Sequence, residues 1–167
     1  MTADERDTGG PDGPQPSRSA TLKRRSFIVG GGSLVLFALL QLVPYGWTKT
    51  NPPVTSPAPW PSPQAEAIAR ESCADCHSNE TNWPAYSYVA PMSWLVRRDV
   101  ERGRDHMNFS EWDEDAADAA EDAEEEIVEG RMPPANYRRI HRSAQLTDEE
   151  ALILVEALEQ MAEATDD

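Results

Sequence analysis

Hydrophobic and polar positions divide the chain into four stretches. Residues 1–25 have no apolar period and are rich in Gly, Pro, Ser and charge, which predicts a disordered tail. From Ser26 to Thr48 there is no charged residue, and Phe27, Ile28, Val29, Leu34, Val35, Leu36, Phe37, Leu39, Leu40, Leu42 and Val43 leave no polar face. A helix over 26–48 would be roughly 34 Å long, enough for a hydrocarbon core of about 30 Å. The pattern therefore predicts one transmembrane helix, with Tyr45 and Trp47 at its far interface. Residues 49–62 and the next position hold Pro52, Pro53, Pro57, Pro59, Pro61 and Pro63, which predicts an extended tether.

Residues 63–167 carry the pattern of an all-α domain of about four helices, with no convincing strand. Pro63 fits a first helical position, and Ala65, Ile68, Ala69 and Ser72 line one face of the first helix. A second runs near Ser93 to Arg102. A third starts at Ser110, where Asp113 completes a capping-box pattern. Trp112, Ala116, Ala119, Ala120, Ala123 and Ile127 recur along it at helical spacing, and their small size allows close approach of a neighbour. The fourth opens with Thr147-Asp148-Glu149-Glu150, a capping box at the end that favours acid, and its buried stripe is Ala151, Leu154, Val155, Leu158 and Met161.

Charge orients the chain. Lys23, Arg24 and Arg25 precede the apolar run and only Lys49 closely follows, which places the N-terminus in the cytoplasm and the rest outside. Arg24-Arg25-Ser26-Phe27-Ile28 also has the form of a twin-arginine export signal. The apolar part is long for a cleaved signal and lacks a small-x-small site, so the reading is an uncleaved anchor. No cysteine lies near it to take a lipid. From residue 51 onward there are 9 Arg, no Lys and 26 Asp plus Glu, giving 9 − 26 = −17. Such a surface excludes nucleic acid as a partner. It suits a solvated acidic coat, or steering toward a basic redox protein.

The chemistry concentrates in Cys73-Ala74-Asp75-Cys76-His77, which contains both cysteines of the chain. Two thiols about one helical turn apart can form thioethers with the vinyl groups of one haem, and the adjacent imidazole can reach its iron. A structural zinc site would need four Cys or His ligands, and His106 and His141 lack zinc-finger spacing. A redox dithiol would want a βαβ context, and a disulfide would leave His77 unexplained. The motif predicts one covalently attached haem c with His77 on the iron.

For the second axial position the leading candidate is Met132, in Gly130-Arg131-Met132-Pro133-Pro134. A helix-ending glycine followed by two rigid prolines suits a presenting loop, and a thioether favours ferrous iron. Met92, Met107 and Met161 are rivals; Met161 falls on an apolar stripe, and Met107, beside His106, is the most serious of them. His106 and His141 are weaker candidates. The aromatic segment Trp83-Pro84-Ala85-Tyr86-Ser87-Tyr88 suits the wall of a porphyrin. Trp94, Arg97, Arg98 and Tyr137 are candidates to bond its propionates.

The blocks Cys76-His77-Ser78-Asn79-Glu80-Thr81-Asn82-Trp83-Pro84, Tyr86-Ser87, Ala90-Pro91-Met92-Ser93-Trp94-Leu95-Val96, Asp99-Val100, Gly103-Arg104, Asn108-Phe109-Ser110-Glu111-Trp112 and Met132-Pro133-Pro134, with Tyr137 and His141, resemble the haem-binding domain family. That family is a cytochrome c-like group of small proteins, often membrane-anchored, and the resemblance covers roughly residues 63–160. It implies a cytochrome c-like fold, with the last helix packed across the first, and His77 and Met132 as axial ligands. The expectation is a single-pass membrane cytochrome passing single electrons to redox protein partners outside the membrane. The alternative is a haem-based sensor, small-ligand binder or peroxidase-like enzyme with a labile sixth ligand. A third possibility is a cofactor domain serving a larger complex. No catalytic residue is assigned.

Overall fold

The computed structural model describes residues 18–166, and side chains over 25–165. The chain divides into two units, Met1–Leu42 and Val43–Asp167. In the first, helix α1 spans Arg18–Leu40. It begins inside the stretch expected to be a disordered tail; the remainder of that tail, residues 1–17, lies outside the described residues.

Helix α1 is shorter in its uncharged part than the expected span. It stops at Leu40, where Gln41 N–H donates to the carbonyls of Phe37 and Ala38, and the chain turns. Pro44 then disfavours helical dihedrals at Val43, so the helix does not resume there. The uncharged helical part, 26–40, is about 22 Å long, against roughly 30 Å of hydrocarbon. No helix among the described residues is long and apolar enough to cross a membrane. Phe27, Ile28, Leu34 and Val35 are exposed along α1.

In the second unit the residues before the first helix are docked. Tyr45, expected at a lipid interface, donates its hydroxyl to Glu101 at 2.9 Å and lies under the Arg97 guanidinium. Gly46 sits at φ +91°, with room for no side chain: a Cβ there would meet the Ser93 backbone at 2.9 Å. The Pro-rich stretch is likewise held along its length. Thr55 and Ser56 N–H donate to the Ser110 carbonyl, Ala58 N–H to Phe109, and Trp112 N–H to Ser56, with one parallel bridge between Ser56 and Glu111. The prolines leave the intervening amides few; those of Thr55, Ser56 and Ala58 pair with Phe109 and Ser110, and Trp60 N–H turns back to the Ala58 carbonyl.

Helix α2 (Pro63–Ser72) starts at a proline behind Ser62, whose hydroxyl accepts the Ala65 N–H. The short α3 (Ala74–His77) follows at once, with Cys73 as the joint. A 3₁₀ turn at Ala85–Tyr88 leads to α4 (Met92–His106), which runs past the expected end at Arg102. Helix α5 is Glu114–Val128, capped by Asp113 on the Ala116 N–H; the expected start at Ser110 is displaced because 108–112 forms the ledge for the Pro-rich stretch. Then come α6 (Ala135–Ile140), a 3₁₀ turn at Arg142–Ala144, and α7 (Asp148–Asp166). The α7 capping box forms as read: Thr147 Oγ accepts the Glu150 N–H, and Glu150 accepts the Thr147 N–H at 2.8 Å.

The core lies between α5 and α7, with α2 packed on α7 as expected. Leu154, Leu158, Met161 and Ala162 of α7 meet Ala116, Ala117, Ala120 and Ile127 of α5, and Ala69 of α2. The alanines let the α7 backbone approach. Each fully buried Leu or Met contributes about 1.5–3 kcal/mol from removal of its surface from water. Met107, Phe109 and Trp112 continue this core toward α3.

Candidate functional site

The site is built on α3, which contacts both α2 and α4. Cys76 and His77 N–H both donate to the Cys73 carbonyl at 3.0 Å, so one tight turn carries the two thiols and the imidazole. Both cysteines are free and half-buried. Burial pushes the Cys73 thiol up to about 11 and the Cys76 thiol up to about 12. Both shifts favour the protonated thiol. Among the described residues no three His, Cys, Asp or Glu side chains gather as a metal site.

His77 is oriented from behind. Its Nδ1 lies 3.0 Å from the Met107 carbonyl, and a carbonyl can only accept. Nδ1 therefore carries the proton, and Nε2 presents a lone pair. Burial also holds this imidazole below the ordinary histidine range, which keeps it neutral and competent as a ligand. The ring tilts against Phe109 at 6.1 Å between centroids, and Phe109 N–H bonds the His77 carbonyl at 2.8 Å.

Asp75, between the cysteines, is a junction that sequence reasoning missed. Its Oδ1 accepts the Asn82 N–H at 2.8 Å, its Oδ2 accepts the Tyr137 hydroxyl at 2.7 Å, and its carbonyl accepts Thr81 Oγ at 2.8 Å. Tyr137 stacks on His141 at 4.3 Å, and Tyr86 OH lies 2.7 Å from His141 Nε2. Desolvation, then the Asp75 carboxylate, pushes the Tyr137 phenol far up, so it stays a donor.

Gly103 and Arg104 were also missed as site residues, although both stand in the blocks that carried the resemblance. Gly103 lets α4 approach α3 so closely that a Cβ would meet the Cys76 carbonyl oxygen at 2.4 Å. Arg104 donates from Nε to the Ser78 carbonyl at 2.8 Å, and from its other nitrogens to Thr50 O, Asn51 Oδ1 and Thr81 Oγ. Only the three-dimensional approach of α4 to α3 reveals either role.

The remaining candidates fall in different places. Trp83 Nε1 donates to Asn51, and Arg97 pairs with Glu101 at 2.6 Å and covers Tyr45, which commits both to the docked N-terminal segment. Arg98 pairs with its neighbour Asp99. Tyr86 and Tyr137 reach the motif through His141 and Asp75 rather than standing free for a carboxylate. Met132 lies exposed on the loop between α5 and α6. Met107 is buried and bonds Nδ1 of His77 through its carbonyl, so it stands on the His77 side of any iron held at Nε2. Met161 is buried in the core, and His106 is exposed.

These residues fit a haem. Two thiols one turn apart, beside an imidazole whose Nδ1 bonds the Met107 carbonyl, form the donor set that covalent haem attachment needs. Among the described residues, two buried side-chain polar atoms have no partner, Ser87 Oγ and Trp94 Nε1. They sit on elements packed against each other, the 85–88 turn and α4. An indole N–H can only donate, and a haem brings two carboxylates able to accept from it.

A family model described as a haem-binding domain matches residues 35–160, about three quarters of the chain. No curated protein matches the chain. No solved structure matches it either.

Proposed function

This chain belongs to the haem-binding domain family, and we infer that it is a c-type cytochrome, an electron carrier with one covalent haem. The observation that carries the reading is the turn 73–77. It holds two free thiols and a histidine whose Nδ1 is already bonded by the Met107 carbonyl, leaving Nε2 for iron. The haem would supply a one-electron iron couple. Cys73 and Cys76 would hold it by thioethers and His77 would ligate it. Met132 would supply a second ligand, a sulfur that favours the ferrous state. Helix α4, in close approach to α3 at Gly103, would hold the turn that carries the imidazole. The acidic surface would favour a partner with a basic docking face, and that attraction would weaken with salt.

The test of function is the optical spectrum of the reduced, haem-loaded full chain with and without carbon monoxide. A carrier with both axial positions filled shows no change on adding the gas. A clear shift would mean a labile sixth ligand and would transfer the assignment to a sensor, small-ligand binder or peroxidase-like enzyme.

The haem-binding unit works outside the cytoplasm and at a membrane surface. Support comes from the uncharged apolar residues 26–43, the preceding Lys23, Arg24 and Arg25, and the attachment chemistry of a c-type haem. The full chain is expected to sediment with vesicles of bacterial-type lipid at physiological salt, and a chain starting at residue 43 to stay in the supernatant. A full chain that stays in the supernatant would sink this placement.

A further inference from the structure

We propose that Tyr137 is a positioning residue for the sixth iron ligand. Its hydroxyl, bonded to Asp75 between the two motif cysteines, holds the chain beyond Met132 in place against the haem-attachment turn. The inference rests on the reading of His77 and Met132 as axial ligands.

A bond from iron to a thioether sulfur depends on where the protein puts that sulfur, because a neutral thioether attracts iron weakly. The upstream end of the Met132 loop is fixed by the backbone. Arg131 and Met132 N–H both donate to the Glu126 carbonyl, at 2.8 and 2.9 Å, and Gly130 takes φ +68° to allow the turn. This ties Met132 to α5, which belongs to the core with α7, and α5 is not among the main contacts of α3. The downstream end leads into α6, a helix of 6 residues that has no side-chain cap and packs mainly on the adjacent 142–144 turn. So short a helix is not stable by itself.

What joins this loop to the attachment turn is one aromatic side chain. Tyr137 OH reaches Asp75 Oδ2 at 2.7 Å across 62 sequence positions. Asp75 is itself fixed, because its other oxygen accepts the Asn82 N–H. The Tyr137 ring is held by stacking on His141 at 4.3 Å and 16°, and His141 by the Tyr86 hydroxyl at 2.7 Å. Arg138 closes the loop by donating to the Gly130 carbonyl at 3.1 Å. One residue thus relates the loop that carries Met132 to the turn that carries His77. Asp75 supplies the anion, and Tyr137 supplies a rigid ring that loses little freedom on docking.

The experiment uses the haem-loaded full chain and the variant Tyr137→Phe, which keeps the ring on His141 and removes only the hydroxyl. Two signals report the sulfur ligand: inertness of the ferrous protein to carbon monoxide, and the near-infrared charge-transfer band of ferric haem with a methionine ligand. The expected result is that Tyr137→Phe binds the gas and loses most of the band, with haem content and helical circular dichroism unchanged. Asp75→Asn offers one oxygen to accept the Asn82 N–H and an amide N–H that can donate to the Tyr137 oxygen, so it should keep the link and behave like the parent chain, whereas Asp75→Ala should behave like Tyr137→Phe. Should Tyr137→Phe fail to fold, the contrast between the two Asp75 variants carries the test. An intact band and continued inertness in Tyr137→Phe, or in Asp75→Ala, would overturn the proposal while leaving Met132 as ligand. A parent chain that already binds the gas would instead overturn the ligand assignment itself.

Discussion

Replacing Met132 by Ala is expected to convert a haem inert to carbon monoxide into one that binds it almost completely, and to lower the reduction potential. Met161 is 1 % exposed in the core between α5 and α7. Met107 is 7 % exposed, and its carbonyl bonds Nδ1 of His77, so its chain stands on the imidazole side. Met92 begins α4. Met132, 39 % exposed on a loop fixed by Gly130, two prolines and two bonds to the Glu126 carbonyl, can turn its sulfur toward a ligand without vacating a core position. Alanine removes the sulfur and nothing that the core needs, so the fold should persist while the iron opens. Loss of the thioether also removes the preference for ferrous iron, hence the lower potential. Titration of reduced protein with the gas checks the result. A variant as inert as the parent would show that another residue fills the sixth position.

Gly103→Ala should destabilise the protein and sharply reduce the yield of haem-loaded chain. Judged on helix propensity alone, the substitution should help, since Gly inside a helix costs about 1 kcal/mol relative to Ala. Space decides the other way. An added Cβ would meet the Cys76 carbonyl oxygen at 2.4 Å and its carbon at 2.8 Å. Both are backbone atoms of the turn that carries Cys73, Cys76 and His77, so neither can yield by rotating a side chain. Overpacking of this kind costs about 1–3 kcal/mol, and the relief route, moving α3 from α4, disturbs the geometry of Cys76 and His77 together. Thermal unfolding should fall by several degrees, since about 1 kcal/mol moves the midpoint of a domain this size by roughly 4 °C. A midpoint equal to or above the parent's would mean that the close approach of α4 to α3 is not a constraint in the folded protein.

What could be read from the chain, and what could not, follows from the range of the interactions. Ser62 before Pro63, and Thr147 with Glu150, are local devices, and both form where the sequence puts them. The small residues of α5 and the stripe of α7 are periodic, and they pair in the core. The attachment motif is legible because its chemistry is contained in five consecutive residues. The errors lie where the partner is distant or where one residue overrides a pattern. The Pro-rich stretch reads as a tether because nothing local binds it; its partners are the backbone groups of 109–112. Ser110 looks like a helix start, but its hydroxyl accepts the Asn79 N–H instead, and Asp113 takes the cap. The apolar run from 26 to 48 is continuous in composition, yet its helix ends at Leu40 and Pro44 keeps it from resuming. Tyr45 then docks on α4 at Glu101 and Arg97. Gly103 looks like an ordinary helix-ending glycine until Cys76 is seen beside it.

Of the site, the two thiols and His77 were legible. The junction at Asp75 was not, since an acid between two cysteines on a strongly acidic chain carries no local signal. Tyr137 was visible as a candidate, but its role as a propionate partner gives way in the structure to its bond with Asp75. Trp94 Nε1 is buried without a partner, and Ser87 Oγ joins it from a position that drew attention only as part of an aromatic segment.

Covalent haem attachment at Cys73 and Cys76 can be read from the intact mass of the denatured full chain recovered from cells that attach c-type haem. The expected value is the chain mass plus that of one haem, falling to the mass of the bare chain in the variant with both cysteines changed to Ala. A parent chain of unmodified mass, with both thiols free or joined to each other, would contradict it.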